Sequence, residues 1–433
     1  MDETYHMTKM IAVILAAGRG TRMKSDLPKI MHTILGKPMI SYVTDAVYRA
    51  AVNDIVIVTG FGSDKVREHF KGTKVRTAIQ KRLLGSADAV GTVKKDFSSK
   101  GDVLIVYGDT PLVTEDTIRL LIKKHRSSGA SLTLLTAILK DPSGYGRIIR
   151  DAYGRITRIA EDSETRENEK NCGEINVGTC IFKSGDLLDA LKYIDCDNSK
   201  GEYYLTDAVE ILYSRSKNVE SMAMENLDEM IGVNSRVELA RATNVMKNRV
   251  MKKLMASGVT IQDPATTTIY PDVKIGRDSV IYPNTIIESD VIIGKNCHIG
   301  PFARIRGGTR IGDKTEVGNF VELVRTQVAG STKVKHHTYL GDAKVGKNVN
   351  IGAGTITANY DGKNKSRTFI GDGSFIGVGA ILIAPVKIGK KALVGAGSVI
   401  LRGQNVKAGA TVVGVPAKIL RRRSGDRRKG DAR

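Results

Sequence analysis

Residues 274–323 read KIGRDSVIYPNTIIESDVIIGKNCHIGPFARIRGGTRIGDKTEVGNFVEL, and their spacing decides the architecture of the second half of the chain. Ile275, Ile281, Ile287, Ile293, Ile299, Ile305, Ile311, Val317 and Leu323 recur every six residues, often followed by glycine. An α-helix repeats every 3.6 residues and a strand every two, so this period is neither. It is the repeat of a parallel β-helix, three hexapeptides to a coil, with each aliphatic side chain pointing into a triangular prism. The phase resumes at Ile370, Ile376, Leu382, Ile388, Val394, Ile400, Val406 and Val412. Between the two runs it slips. Leu323 to Val345 is 22 residues and Ile351 to Ile370 is 19, neither a multiple of six. The surplus residues are expected to leave the prism as loops, where function concentrates on a rigid scaffold. These stretches hold His336, His337, Tyr339, Asn359, Tyr360 and Lys365.

Ahead of the prism, 226–258 is helix-like, with a helix expected over 235–256 after Asn234 in GVNSR. A long helix makes a stiff connector, which implies two active sites held apart. The first half alternates apolar strands (11–15, 55–59, 74–80, 103–107, 132–139) with amphipathic stretches such as 38–51 and 115–127. That alternation predicts an α/β, Rossmann-like domain with a mainly parallel sheet covered on both faces. Segments 147–151, 156–160 and 174–182 read as strands of an insertion that walls a substrate pocket. Ligands of such sheets gather beyond the carboxyl ends of the strands. Two features fall at that edge: Tyr107-Gly108-Asp109 and the loop after the first strand.

That loop, in VILAAGRGTRMKSDLPK at 13–29, carries Gly18 and Gly20 with Arg22, Lys24 and Lys29 close behind. Small residues let backbone N–H groups approach a polyphosphate, and the cations neutralise it. The stretch lacks the GK[ST] of a P-loop and the third glycine of a dinucleotide fingerprint. A Gly-rich turn with solvated cations is the plainer alternative.

The formal net charge is +21 over 433 residues, and residues 421–433 (RRRSGDRRKGDAR) contribute seven basic and two acidic groups, a net of +5. The tail is expected to be disordered. The remaining charge is spread along the chain without a nucleic-acid-binding motif, which suits steering of anionic substrates and disfavours specific nucleic-acid binding. Cys172, Cys180, Cys196 and Cys297 have neither CxxC nor His pairing, so no disulfide framework or zinc site is indicated. With no apolar run of ~20 residues and a polar start, in which Met1 or Met7 could be the first residue, the expectation is a cytoplasmic protein with no membrane segment.

The form L-A-A-G-x-G-T-R-M-x(5)-P-K resembles the sugar-1-phosphate nucleotidylyltransferases, and the repeat resembles the left-handed hexapeptide acyltransferases, which work as trimers. YGDTPL at 107–112, GYGRI at 144–148, EIN at 174–176, GEYYLTD at 201–207, GVN at 232–234, YLGDA at 339–343 and NIGAGT at 350–355 complete the likeness. Up to about residue 415 the chain is similar to the bacterial bifunctional N-acetylglucosamine-1-phosphate uridylyltransferase / glucosamine-1-phosphate acetyltransferase family. The resemblance implies an enzyme of UDP-N-acetylglucosamine synthesis with a nucleotidyltransferase domain over 1–232, a helical linker over 233–258, a left-handed β-helix over 259–420 and the tail 421–433. It implies substrates UTP and acetyl-CoA, Mg²⁺ as cofactor, and a homotrimer.

Residue by residue, the resemblance puts Leu15, Ala16, Ala17, Gly18 and Gln80 around the uridine nucleotide, Gly85 and Ser86 at the base, and Arg22 and Lys29 on the phosphates as catalytic groups. Tyr107 and Gly108 belong to the same site; Asp109 and Asn234 would hold Mg²⁺, and Gly146, Glu161 and Asn176 the sugar. In the acetyl half, His336 would be the general base; its spacing to Thr338-Tyr339 favours it over His337, but neighbouring histidines are not separable by composition. Arg306, Tyr339, Asn350 and Lys365 would bind the sugar phosphate, with Ala353, Asn359, Tyr360 and Ala396 towards acetyl-CoA.

The chain departs from the family pattern at several places. Ser86 stands for a threonine, and Ser163 for the lysine two residues beyond Glu161. Val324 stands for a phosphate-binding lysine, for which Arg325 could substitute; Val378 replaces a small polar residue and Gly414 an arginine near CoA. An alternative reading therefore stays open: uridylyl transfer only, with the β-helix as a trimerising scaffold. UTP and dTTP also stay undistinguished.

Overall fold

The computed structural model describes residues 9–198 and 201–420; the basic tail and both candidate start methionines lie outside the described residues. The first unit is built on a nine-stranded sheet. Its strands are β1 (Met10–Ala16), β2 (Asp54–Thr59), β3 (Arg76–Ile79), β4 (Asp102–Tyr107), β5 (Leu132–Ile138), β6 (Arg147–Arg150), β7 (Ile156–Ala160), β8 (Glu174–Lys183) and β9 (Val219–Ala223). The order is β9-β5-β8-β4-β1-β2-β3, and the β6–β7 hairpin is attached to β8 through Ile175↔Arg147. Strands β1, β2, β3 and β4 are parallel to one another, as the alternation of strand and helix predicts.

Strand β8 corrects one expectation. It is not an outlying wall: it lies inside the sheet, antiparallel to both β4 and β5. Its first residues, Glu174 to Asn176, pair with Thr136–Ile138, and the register breaks between Asn176 and Cys180. One continuous strand thus joins the sheet to the β6–β7 hairpin.

Alternate residues of each strand face opposite layers. Ile14, Ile57 and Leu104 pack with α1 (Met39–Arg49) and α4 (Glu115–Ser128), and α2 (Ser63–His69) contributes Val66 to that layer. Val13, Val56 and Ile105 pack on the other side with α3 (Ser86–Gly91), α5 (Ser184–Ala190) and α6 (Ala208–Ser214). Thr114 caps α4 through its side chain and Gly129, left-handed at φ 59°, ends it. The helix α7 (Arg236–Ala256) matches the predicted span, and the chain divides into two compact units within it, the first up to Val245 and the second from Met246.

The second unit is a left-handed parallel β-helix of three sheets, in which strands of two to four residues stack coil on coil. The predicted aliphatic positions fill the prism: Ile281, Ile299, Ile305, Leu323, Ile376, Val394 and Ile400 are fully enclosed. Corners turn through left-handed residues at the same period, among them Asp278, Asn284, Asp290 and Asn296. Asn and Asp tolerate that conformation better than most side chains.

The expected loop over 324–344 does not exist. The prism continues without a break through buried Val328, Val334, Leu340 and Val345. The phase slips because two of the sides are five residues long, from Leu323 to Val328 and from Leu340 to Val345. The left-handed corners shorten in step, Phe320 to Arg325 and His337 to Asp342. In the second stretch a loop does leave the prism. Thr357 takes an inward position, with Oγ1 accepting from Gly341 N at 2.8 Å, and the chain then departs and returns at Ile370. Ser366 N donating to Asn359 O at 2.8 Å and a Tyr360–Lys365 bridge close that excursion.

Candidate functional site

In the first unit, a cavity of about 280 Å³ opens beyond the carboxyl ends of β1 and β4, lined by Leu15 to Gly18, Lys29, Gln80, Gly85, Ser86, Tyr107 and Asp109. The structure brings these predicted residues together. Gly20, at φ 62°, lets the loop turn back on Lys29; a Cβ there would lie 2.7 Å from the Lys29 Cβ. Gly85 sits under Tyr203, whose carbonyl oxygen would lie 2.4 Å from an added Cβ. Ser86 Oγ accepts from Leu205 N at 2.9 Å, and Gln80 Nε2 donates to Gly85 O at 3.1 Å and to Asp88 Oδ2 at 2.7 Å. The GEYYLTD segment is therefore a strap holding the Gly85–Ser86 end of the cavity, a role its motif alone did not reveal. Burial pushes the Tyr107 phenol above its ordinary value.

At the other end Lys29 Nζ donates to Asp109 Oδ2 and, at 3.0 Å, to Asn234 Oδ1. The three side chains come from positions 80 and 205 residues apart. Val233 N donates to the Asp109 carbonyl at 2.8 Å, fixing GVN beside β4. Glu238, in the first turn of α7, accepts from the backbone N–H of Asn234 at 2.7 Å and of Ser235 at 2.6 Å. Although burial opposes it, these bonds, with the charge of Arg22, hold the Glu238 carboxyl below the usual range. Glu238 was missed, yet Ser235-x-x-Glu238 is a readable capping signature. Arg22 itself is exposed.

Among the described residues no three His, Cys, Asp or Glu side chains gather as a metal cluster. The donor set is two oxygens, Asp109 Oδ2 and Asn234 Oδ1, already converging on one cation. That set fits Mg²⁺, which takes one or two protein oxygens and fills its shell with water and phosphate.

The residues expected to hold the sugar cluster beside β8. Asn176 N donates to Gly146 O at 2.8 Å, Asn176 Oδ1 accepts from Gly178 N at 3.0 Å, and Glu161 Oε1 accepts from Thr206 Oγ1 at 3.0 Å. Asp207 is pushed up to about 6 by burial first and then by the carboxylates of Glu164, Asp195, Glu161 and Glu210. The Ser163 side chain brings no cation to this carboxylate-rich wall.

In the second unit, the two adjacent histidines part company. His337 is a left-handed corner residue whose ring stacks on Phe320 at 5.2 Å, and Phe320 stacks on Phe302 at 5.0 Å. His336 instead stands exposed at the end of its strand, in register with Asn319, lining a groove with Lys335, Glu316 and His298. Below it Ala353, Val378 and Ala396 follow down the same edge: Gly379 N donates to Ala353 O and Gly397 N to Val378 O, both at 2.7 Å. Val378 is 59% exposed on that column.

On the adjoining face Arg304, Glu322, Tyr339 and Ile356 stack in register. Arg306 Nη1 donates to Glu322 Oε1 at 3.0 Å, and Tyr339 Oη to Asn359 Oδ1 at 3.5 Å. Asn359 Nδ2 donates to Asp342 Oδ2 at 2.5 Å. Arg325 grips the same carboxylate with two bonds, at 2.7 and 2.8 Å, and holds the Asp342 carboxyl below the usual range. Arg325 is thus engaged by Asp342, while Val324 is buried at 3% exposure. Asn350 pairs with Lys333 one coil below the histidine strand, and Tyr360 and Lys365 lie exposed on the excursion loop.

Two family models match in the same order as the units: the MobA-like NTP transferase domain over residues 12–166, and the bacterial transferase hexapeptide (six repeats) over 290–325 and 367–402. Among curated proteins, the chain is 43% identical to the bifunctional protein GlmU of Geobacillus sp., covering 91% of this chain and 93% of that one. It is 41% identical to the protein of the same name from Listeria monocytogenes (92% and 94% covered) and 42% identical to that of Caldanaerobacter subterraneus (94% and 95%). The chain belongs to the GlmU family. It is accordingly a bifunctional transferase, pairing a nucleotidyltransferase unit with a hexapeptide acetyltransferase unit. No helix of the described residues is long and apolar enough to cross a membrane.

Proposed function

We propose that the first unit joins UTP to N-acetylglucosamine-1-phosphate around Asp109 and Asn234, and that His336 is the general base of the second. The observation that carries the reading is the pair of separate constellations: cation-directed oxygens in a cavity floored by small residues, and an exposed imidazole heading the column of Ala353, Val378 and Ala396.

In uridylyl transfer a phosphate oxygen of the sugar phosphate attacks the α-phosphorus of UTP, and the bond to pyrophosphate breaks. Mg²⁺ bound by Asp109 and Asn234 would supply charge neutralisation. Lys29 and Arg22 hold the phosphates, Gln80, Gly85 and Ser86 the base, and Glu161, Asn176 and the Gly146 backbone the sugar. Positioning and charge carry such a step, with no covalent intermediate on the protein.

In acetyl transfer the amine of glucosamine-1-phosphate attacks the thioester carbonyl of acetyl-CoA. His336 takes the amine proton, a task matched to imidazole near neutral pH, and the CoA thiolate leaves. Arg306, Tyr339, Asn350 and Lys365 hold the acceptor, with Ala353, Asn359, Tyr360 and Ala396 on the acetyl-CoA side. The homotrimer and a cytoplasmic location complete the proposal.

The test is acetyl-CoA-dependent thiol release with glucosamine-1-phosphate, in wild type and His336→Ala, with uridylyl transfer measured on the same preparations. Loss of thiol release alone supports the assignment. Absence of release from a wild type that still makes UDP-N-acetylglucosamine would leave the β-helix a scaffold and point to Val324, Val378 and Gly414.

A further inference from the structure

We propose that Lys29 is the resident cation of the metal site: it neutralises Asp109 until a divalent ion displaces it, and so couples metal binding to nucleotide binding. This rests on the reading of Asp109 and Asn234 as metal ligands. The ammonium nitrogen already lies between the two oxygens that would coordinate the metal, paired with Asp109 Oδ2 and 3.0 Å from Asn234 Oδ1. Both partners are largely enclosed, with side-chain exposures of 13% for Lys29 and 20% for Asp109. A carboxylate so placed is costly without a counter-charge, and Lys29 supplies it.

Mg²⁺ binds oxygens at about 2.1 Å and demands near-octahedral geometry. An ammonium group and a divalent ion cannot share one pair of oxygens at that range, and their like charges repel. The metal therefore enters only as Lys29 leaves. The direction of departure is set by the cavity: Lys29 lines it beside Gly18, where a polyphosphate offers the ammonium new oxygens. Nucleotide thus draws Lys29 off the carboxylate and opens the metal position, and metal releases Lys29 for the phosphates. By linkage each ligand strengthens the other by the same factor.

The experiment is Mn²⁺ binding to the full chain, followed by the loss of the free-ion paramagnetic resonance signal, with and without UTP. Lys29→Met keeps the length of the side chain and removes its charge. The expected result is that Lys29→Met binds Mn²⁺ without nucleotide roughly tenfold more tightly than wild type, and that the strengthening by UTP shrinks. Equal or weaker nucleotide-free binding in Lys29→Met overturns the inference. Asp109→Asn separates the two levels. If it abolishes Mn²⁺ binding while Lys29→Met fails to tighten it, the metal site stands and the coupling falls. If Asp109→Asn leaves Mn²⁺ binding unchanged in wild type and in Lys29→Met, the metal assignment itself falls. Far-ultraviolet circular dichroism matching wild type confirms that each variant is folded.

Discussion

The cavity beyond β1 and β4 and the His336 edge bring their side chains together by opposite means. In the first unit the partners are remote in sequence: Lys29, Asp109 and Asn234 meet only because the turn at Lys29–Met31, the end of β4 and the segment before α7 converge. Their positions depend on one another, through Glu238 under Asn234 and Tyr203 over Gly85. In the second unit His336, Ala353, Val378 and Ala396 fall on one edge because the coil repeats, and the carbonyls of Ala353 and Val378 each accept from the neighbouring coil. Convergence concentrates interdependence, whereas repetition distributes it. Substitutions in the first site are thus expected to spread to neighbours, and those in the second to stay local.

The largest effect expected from that contrast is the cleanest separation of the halves. His336→Ala should lower acetyl transfer by about 10²- to 10⁴-fold, the range for removing a general base, with uridylyl transfer unchanged in a coupled pyrophosphate assay. Asp109→Asn should do the reverse, lowering kcat/KM for uridylyl transfer by roughly 10²-fold while thiol release is kept. A variant that damaged both activities equally would break the comparison.

Interdependence is tested one step further out, at Glu238, which touches no reacting group. Glu238→Ala should raise the metal concentration needed for half-maximal uridylyl transfer by about tenfold, as losses behind metal ligands do, and Glu238→Gln should recover much of it. If Ala and Gln behave alike, Asn234 is positioned by something other than this cap.

The smallest effect is at Asp207. Folding raises its pKa to about 6, so the native state holds that proton more tightly than the unfolded chain does. The stability it contributes is complete below the ordinary carboxylate range and is lost as pH rises through about 6. Asp207→Asn cannot ionise, so it should melt above wild type at pH 7.5, by about 1–3 °C after solvent screening, with the difference shrinking towards pH 5. Paired thermal melts at the two pH values check it.

Most of the architecture is legible in the sequence because both halves announce it by period: strand and helix alternate in one, and aliphatic residues recur in the other. What escaped has physical causes. Strand β8 reads as an insertion because chain order says nothing of antiparallel entry between β4 and β5. The stretch around His336 reads as a loop because a count in sixes cannot distinguish residues added to a side from residues removed. Thr357 hides from an aliphatic search because its hydroxyl is satisfied by Gly341 inside the prism. Of the loop after β1, Leu15 to Gly18 and Lys29 line the cavity as expected, whereas Arg22 is exposed.

The five-residue sides have a consequence for how such a chain can change over time. Removing one residue from an α-helix turns everything beyond it by about 100°, and removing one from a flat strand sends every later side chain to the wrong face. Here the residue is lost beside a corner, the left-handed turn moves with it, and Val328 and Val345 still point inward. A corner can therefore absorb the loss of one residue in this architecture while the coils on either side stay in register.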